Sequence, residues 1–302
     1  LLIPLTTTNR EGSMLIRLGY EIDIECEQPT PVFSLLDICR ERRPDIRKEA
    51  GVLVSPKVPH RTYLDRHGNY CRRLVAPAGG VRLLYDALVA DSGLPDERPP
   101  AGPQTPVDRL PSSAIIYLLG SRYCETDHMN GLAWSLFGGI EGGRERVEAI
   151  VDYVHERMAF GYAYARSTRT AAQAHEERVG VCRDFAHLAI TLCRCMNIPA
   201  RYVNGYLGDI GVPEDPAPMD FSAWFEVYIQ GGWYTYDARH NEPRIGRVVI
   251  ARGRDATDVP LLHTFGEHRL RTFKVWTYEQ ERYPASHPPR GVDRTIPAEV
   301  LA

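Results

Sequence analysis

Gly180-Val181-Cys182-Arg183-Asp184-Phe185-Ala186-His187-Leu188 opens the stretch on which the reading of this chain turns. From there Phe185, Leu188, Ala189, Leu192 and Met196 recur at steps of three and four, the spacing that lines one face of an α-helix. Asn197-Ile198-Pro199 ends that helix, because proline has no amide donor and clashes with the turn before it. Ala200-Arg201-Tyr202-Val203-Asn204-Gly205-Tyr206-Leu207 then reads as a strand. Two more strands follow, Ala223 to Ile229 and Trp233 to Asp237, joined through Gly231-Gly232, where positive φ angles suit a tight turn. A helix feeding an antiparallel sheet is an α+β arrangement.

Cys182 falls in the first turn of the helix. A thiol is a nucleophile only as thiolate, and unpaired N–H groups at a helix N-terminus favour that negative charge. The same groups suit the oxyanion that forms when a thiolate attacks a carbonyl. Spacing alone leaves a buried structural cysteine equally open, since free cysteine is among the most buried residue types.

Toward the N-terminus the pattern changes. From Met14 to about Ser92 strands dominate, as in the alternating Leu18-Gly19-Tyr20-Glu21-Ile22-Asp23-Ile24-Glu25, and Arg66-His67-Gly68-Asn69 suits a hairpin turn. Prolines 95, 99, 100, 103, 106 and 111 then break both helices and strands. We therefore expect a β-sandwich-like domain over 14–105 and a second unit over 110–285, with 1–13 and 286–302 as tails. Ser112 to Leu119 and Gly143 to Met158 read as helices in the second unit, the latter with Val147, Ile150, Val151 and Val154 on one face.

Composition excludes several classes. With 36 basic and 39 acidic residues among 302, the net charge of -3 gives no field that points to nucleic acid or an anionic membrane. The longest apolar runs, such as Ala114 to Leu119, are far below the roughly 18 residues that span a bilayer. Leu1 to Thr8 lacks the basic start and small-residue cleavage site of a signal peptide. Seven cysteines, an odd number, fit a reducing compartment better than a disulfide framework, so the expected location is cytoplasmic. Cys193-Arg194-Cys195 has neither redox nor zinc-site spacing, and no Gly-rich phosphate loop is present.

The helix motif does not stand alone. Gly180 to Leu188, then Ile198-Pro199-Ala200-Arg201-Tyr202-Val203-Asn204-Gly205-Tyr206, then Ala223-Trp224-Phe225-Glu226-Val227-Tyr228 with Trp233 and Asp237, together resemble the bacterial transglutaminase-like superfamily. The likeness covers roughly 110–273. It implies a papain-like transglutaminase core, in which the Cys-bearing helix packs on an antiparallel sheet behind a β-rich N-terminal domain. It also implies a Cys-His-Asp triad, with Cys182 at the nucleophile position and Asp237 at that of the orienting carboxylate. The family's His stands immediately before Ala-Trp, where this chain has Ser222. A serine hydroxyl cannot accept a thiol proton near neutral pH.

Two histidines could take that role: His240, three residues after Asp237, and His263, in Pro260-Leu261-Leu262-His263-Thr264. Each also reads as an ordinary surface or hydrogen-bonded histidine. Ser222 itself could hold a water or orient another side chain. His187 lies about 140° around the helix from Cys182 and reads as packing; His175 reads as a loop residue; Asp184 reads as a helix-terminal carboxylate complementing the dipole. The resemblance thus implies thiol-dependent acyl transfer or hydrolysis of amide bonds through a thioester at Cys182, on a peptide or protein substrate and without a cofactor. The alternative is a catalytically silent domain that binds peptides or scaffolds a partner. Neither hydrolysis versus transamidation nor the oligomeric state is legible in the sequence.

Overall fold

The structure is a computed structural model and describes residues 14–280. The expected tails lie outside the described residues. Three antiparallel sheets and a group of helices build the fold, an α+β architecture with a papain-like core.

The first sheet is centred on Met14–Glu25, which lies between Arg269–Glu279 and Val81–Asp91; Ile46–Glu49 and Leu53–Ser55 pair with the far edge of Val81–Asp91. Strand alternation puts Ile16, Leu18, Tyr20, Ile22 and Ile24 inside. The second sheet runs Leu262–Thr264, Thr30–Ser34, Tyr70–Ala76, His60–Leu64. Its hairpin turns where expected, with Gly68 at φ 82° and Asp65 Oδ1 accepting from the N–H groups of His67 and Asn69 at 2.8 and 2.9 Å. Val32, Leu74 and Leu262 of this sheet share one buried cluster with Ile22 and Ile24 of the first.

The third sheet, in the order Gly232–Tyr236, Ser222–Ile229, Ala200–Tyr206, Val248–Gly253, carries the helix Cys182–Cys195 on one face. The turn between the first two of these strands is centred on Gln230 and Gly231, both at positive φ, one residue earlier than the Gly231-Gly232 step suggests. Three further helices, Thr126–Phe137, Gly143–Arg157 and Ala171–Glu177, pack around the Cys182 helix. It is therefore enclosed rather than one-sided: every residue from Arg183 to Cys195 is buried. Its polar residues survive burial because they are bonded, as when Arg194 donates to the carbonyls of Ala200 and Leu119 at 2.9–3.0 Å. Packing of this kind makes a buried leucine such as Leu188 worth about 2–5 kcal/mol against alanine.

The strand pairing departs from the expected division at its C-terminal end. Leu262–Thr264 and Arg269–Glu279, counted in the unit 110–285, hydrogen-bond instead in the two N-terminal sheets. The physical reason is that Met14–Glu25 would otherwise expose an unpaired edge, and Leu270, Phe273 and Val275 supply the alternation that covers it. Local pattern does not reveal a partner some 250 residues away. The proline-rich stretch is not a loose tether either. Asp96 pairs with Arg247 at 2.8 Å and accepts from Arg244 N at 2.9 Å, while Gln104 Nε2 donates to Met196 O at 2.9 Å.

Candidate active site

The helix Cys182–Cys195 begins at Cys182 itself, directly after Val181 in extended conformation. Asp184 Oδ2 accepts the Val181 N–H at 2.9 Å and an Arg169 N–H at 3.0 Å, so this carboxylate closes the helix start and is itself neutralised. Gly180 makes the closure possible: a Cβ there would stand 2.6 Å from Asp184 Cβ. The Cys182 thiol is half-buried in a cleft with Tyr162, Tyr202, Asn204, Asp220 and Ala223. Tyr202 and Asn204 reach that cleft because they share the strand face that meets the helix.

Asp237 follows the strand Gly232–Tyr236 and is buried, 4% exposed. Its Oδ1 accepts the N–H groups of Arg239 and His240 at 2.9 and 3.2 Å, which folds the chain back in a tight turn. Its Oδ2 meets His240 Nδ1 at 2.8 Å and Arg247 at 2.9 Å. Burial opposes ionisation of this carboxyl, but the Arg247 charge and the hydrogen bonds from His240 and Arg247 outweigh it and hold Asp237 well below the usual carboxylate range. Arg247 is fixed in turn by Asp96 and lies 4.8 Å over the Trp224 ring.

Ser222 and His240 line one polar cleft, together with Asp209, Asp215 and Arg244. This cleft adjoins that of Cys182, and Tyr162 and Asp220 line both. Cys182, Asp237, His240 and Ser222 are thus gathered at one end of the third sheet. His263 is elsewhere. It is exposed on the edge strand Leu262–Thr264, opposite Phe33, with its ring 4.8 Å from that of Phe265. Strand alternation explains this: Leu262 is buried, so its neighbour points out. His187 is fully buried, stacked on Tyr123 at 4.9 Å, and accepts the Ala256 N–H at 3.1 Å. Burial lowers its pKa, against the pull of the Asp255 charge. His175 lies on the helix Ala171–Glu177 and bonds Tyr153 at 2.7 Å.

Several residues had no distinguishing signal in the sequence. His155, on the helix Gly143–Arg157, donates from Nδ1 to the carbonyls of Ala238 and Arg239 at 3.2 and 3.0 Å and so pins the turn that carries His240. Tyr162 stands between the two clefts, and burial lifts its phenol to about 12. Asp220 lies two positions before Ser222. Burial pushes its carboxyl up to about 6, against the hydrogen bond from Phe221 N and the charge of Arg239. Burial likewise pushes the Cys182 thiol up; Arg239 and the Ala223 N–H pull the other way, and the negative charges of Asp220 and Asp237 add to the rise.

Among the described residues, no group of three or more His, Cys, Asp or Glu is arranged to hold a metal ion. No helix among them is long and apolar enough to cross a membrane. All seven cysteines are free thiols.

Comparison with known proteins identifies relatives of this fold. The family profile described as the transglutaminase-like superfamily matches residues 131–238, a span that contains Cys182, Ser222 and Asp237 and ends before His240. A solved structure of a candidate cysteine protease from Cytophaga hutchinsonii superimposes with a TM-score of 0.76 at 31% identity, covering 88% of this chain and 91% of that one. An uncharacterized protein of Mycobacterium leprae is 39% identical over 87 residues, 26% of this chain and 29% of the relative. One of Mycobacterium tuberculosis is 33% identical over 132 residues, 39% of this chain and 42% of the relative. The match thus spans less than half the length of these curated relatives. Likeness along nearly the whole of the Cytophaga protein, with the motif-bearing helix and sheet inside the matched profile, places the chain in a family: it belongs to the transglutaminase-like superfamily.

Proposed function

We propose that this chain is a thiol-dependent acyl-transfer enzyme, working as a peptidase or amidase, which forms a thioester at Cys182 with His240 as its base and Asp237 as the carboxylate that holds the base. The observation that carries this reading is the 2.8 Å contact between His240 Nδ1 and Asp237 Oδ2, in a cleft that also holds Ser222 and adjoins the thiol. In this reading the imidazole, reaching back from the following turn, takes the part of the family's histidine, whose place in the motif Ser222 holds.

With Nδ1 donating to Asp237, Nε2 keeps the lone pair that accepts the thiol proton. The thiolate then attacks the carbonyl carbon, the C=O electrons move to oxygen, and N–H groups of the helix start stabilise the oxyanion. As the C–N bond breaks, the imidazolium returns the proton to the leaving nitrogen. Water, or an amine, resolves the thioester with His240 again as base. The Arg247 contact keeps Asp237 ionised, so the carboxylate can orient the ring and stabilise its cationic form. Peptides or proteins are the proposed substrates, no cofactor is required by this chemistry, and the seven free thiols favour a cytoplasmic setting.

One observation favours a second reading, a catalytically silent peptide-binding or scaffolding domain: burial holds the Cys182 thiol above its ordinary pKa. The pH dependence of iodoacetamide labelling at Cys182 decides between the two. The triad reading expects labelling at neutral pH that slows, with its inflection moved upward, in His240→Ala. A free-thiol inflection that His240→Ala leaves in place rejects the triad and leaves the silent domain.

A further inference from the structure

The carboxylate of Asp220 lines both the thiol cleft and the polar cleft of His240. It accepts one local hydrogen bond, from Phe221 N at 2.6 Å. Of the charged groups around it, Arg239 acts on it through space, and the others are engaged elsewhere. His240 is engaged by Asp237. The Arg239 guanidinium lies 3.6 Å over the Phe160 ring. Arg244 pairs with Asp209 at 3.8 Å and donates to Gly208 O at 3.1 Å. Asp209 and Asp215 carry the same sign as Asp220 and accept the N–H groups of Asp215 and Ala217. The cation that bears on Asp220 is Arg239, and it does so through space rather than by a hydrogen bond.

A partly buried carboxylate with no cation hydrogen-bonded to it is costly to ionise. This one also disfavours the thiolate beside it, since its charge adds to the rise of the Cys182 pKa. A positive group arriving at the junction of the two clefts would remove both penalties together. We infer that Asp220 is a specificity-determining residue, which selects substrates bearing an ammonium or guanidinium group next to the acyl carbon and couples their binding to activation of the thiol. The inference rests on Cys182 being the nucleophile of the site, and the experiment keeps the two apart.

The full chain at pH 7.5 and low salt is treated with three methanethiosulfonates: methyl (neutral), aminoethyl (cationic) and sulfonatoethyl (anionic). In each reaction the Cys182 thiolate attacks the sulfenyl sulfur, an S–S bond forms and methanesulfinate leaves. The other six cysteines are buried, so modification is read at the Cys182 peptide by mass spectrometry, with Cys182→Ser as blank. Reaction with the neutral reagent reports whether Cys182 is an accessible nucleophile, whatever Asp220 does. The cationic-to-anionic rate ratio reports Asp220, because any change in thiolate fraction cancels in it.

One unit charge close to the sulfur predicts a ratio of roughly tenfold in favour of the cation. It should fall to near one in Asp220→Asn and return in Asp220→Glu, with Asp215→Asn leaving it unchanged. A ratio near one in the wild type, or one that Asp220→Asn leaves intact while the neutral reagent still reacts, overturns the inference. Chloromethyl ketones identify the source of the charge: glycyl against N-acetylglycyl reads an α-ammonium, and N-acetyl-lysyl against N-acetylnorleucyl reads a side-chain ammonium. The faster cationic member of either pair supports the assignment and names the group; equal rates in both pairs reject it.

Discussion

The two halves of the candidate site are built in opposite ways. Around Asp237 every charge has a partner: Arg247, His240 and two backbone N–H groups converge on one carboxylate, and Asp96 and His155 hold the surrounding turn from outside. Around Cys182 little is compensated. The thiol and Asp220 share a cleft, both are pushed toward their neutral forms by burial, and Arg239 bears on them only from a distance. The contrast teaches that paired charges hold the Asp237 carboxylate in its ionised form, whereas the Cys182 thiol and the Asp220 carboxylate are held toward their neutral forms. In the first half electrostatics fastens the chain; in the second it leaves room for a ligand.

The comparison can be broken or sharpened by experiment. The largest effect belongs to Cys182→Ser, which should lower any acyl transfer by more than about a thousandfold while leaving the unfolding midpoint nearly unchanged, because removal of a nucleophile abolishes the covalent step. Activity and urea denaturation measured on the same preparation check this. His240→Ala should cost about 10²–10⁴-fold in rate, the range of a general base, and His263→Ala should cost nothing, since that ring is exposed on a different sheet. An equal loss from both would place the base wrongly.

Asp237→Ala acts first on stability. It strands the buried Arg247 charge and should destabilise by about 3–5 kcal/mol, read as a shift in urea midpoint at pH 7. The two carboxylates should also respond to pH with opposite signs. Asp237 has a folded pKa below its unfolded value, so its contribution to stability is present above about pH 4 and is lost as pH falls toward the folded value. Asp220 has a folded pKa raised to about 6, so its cost is absent below the unfolded pKa and fully present above the folded one. Asp220→Asn should therefore stabilise the protein by about 1–3 kcal/mol at pH 7 and by nothing at pH 4. Urea midpoints between pH 4 and pH 8 test it, and a pH-independent difference would dismiss Asp220 as an unsolvated carboxylate.

Much of the core was legible because its signals are local. Helical spacing behind Cys182, the stop at Asn197-Ile198-Pro199 and the alternation in three strands each report on a few consecutive residues, and these elements stand within a residue or two of where they were expected. The capping box in which Thr170 and Gln173 bond one another's backbone is an equally local signal, and it starts the helix Ala171–Glu177 where a loop around His175 is expected. Thr126–Phe137 was harder, because its buried positions Met129, Ala133 and Phe137 make only a thin stripe interrupted by Gly131. In the site, His240 was one of two candidates of similar appearance. Sequence proximity to Asp237 favoured it, but the sequence carried no measure of where His263 pointed.

By itself, then, the sequence determined the helix that presents Cys182 and the sheet it rests on, because helix periodicity, strand alternation and proline breaks are properties of short segments. Only the tertiary structure decided the rest. It paired the C-terminal strand with the first one, turned His263 away, brought His240 onto Asp237 under the hold of His155 and Arg247, and set Asp220 between two clefts. These outcomes depend on which distant groups share a buried space, and burial and Coulomb energy follow distance in space rather than separation along the chain.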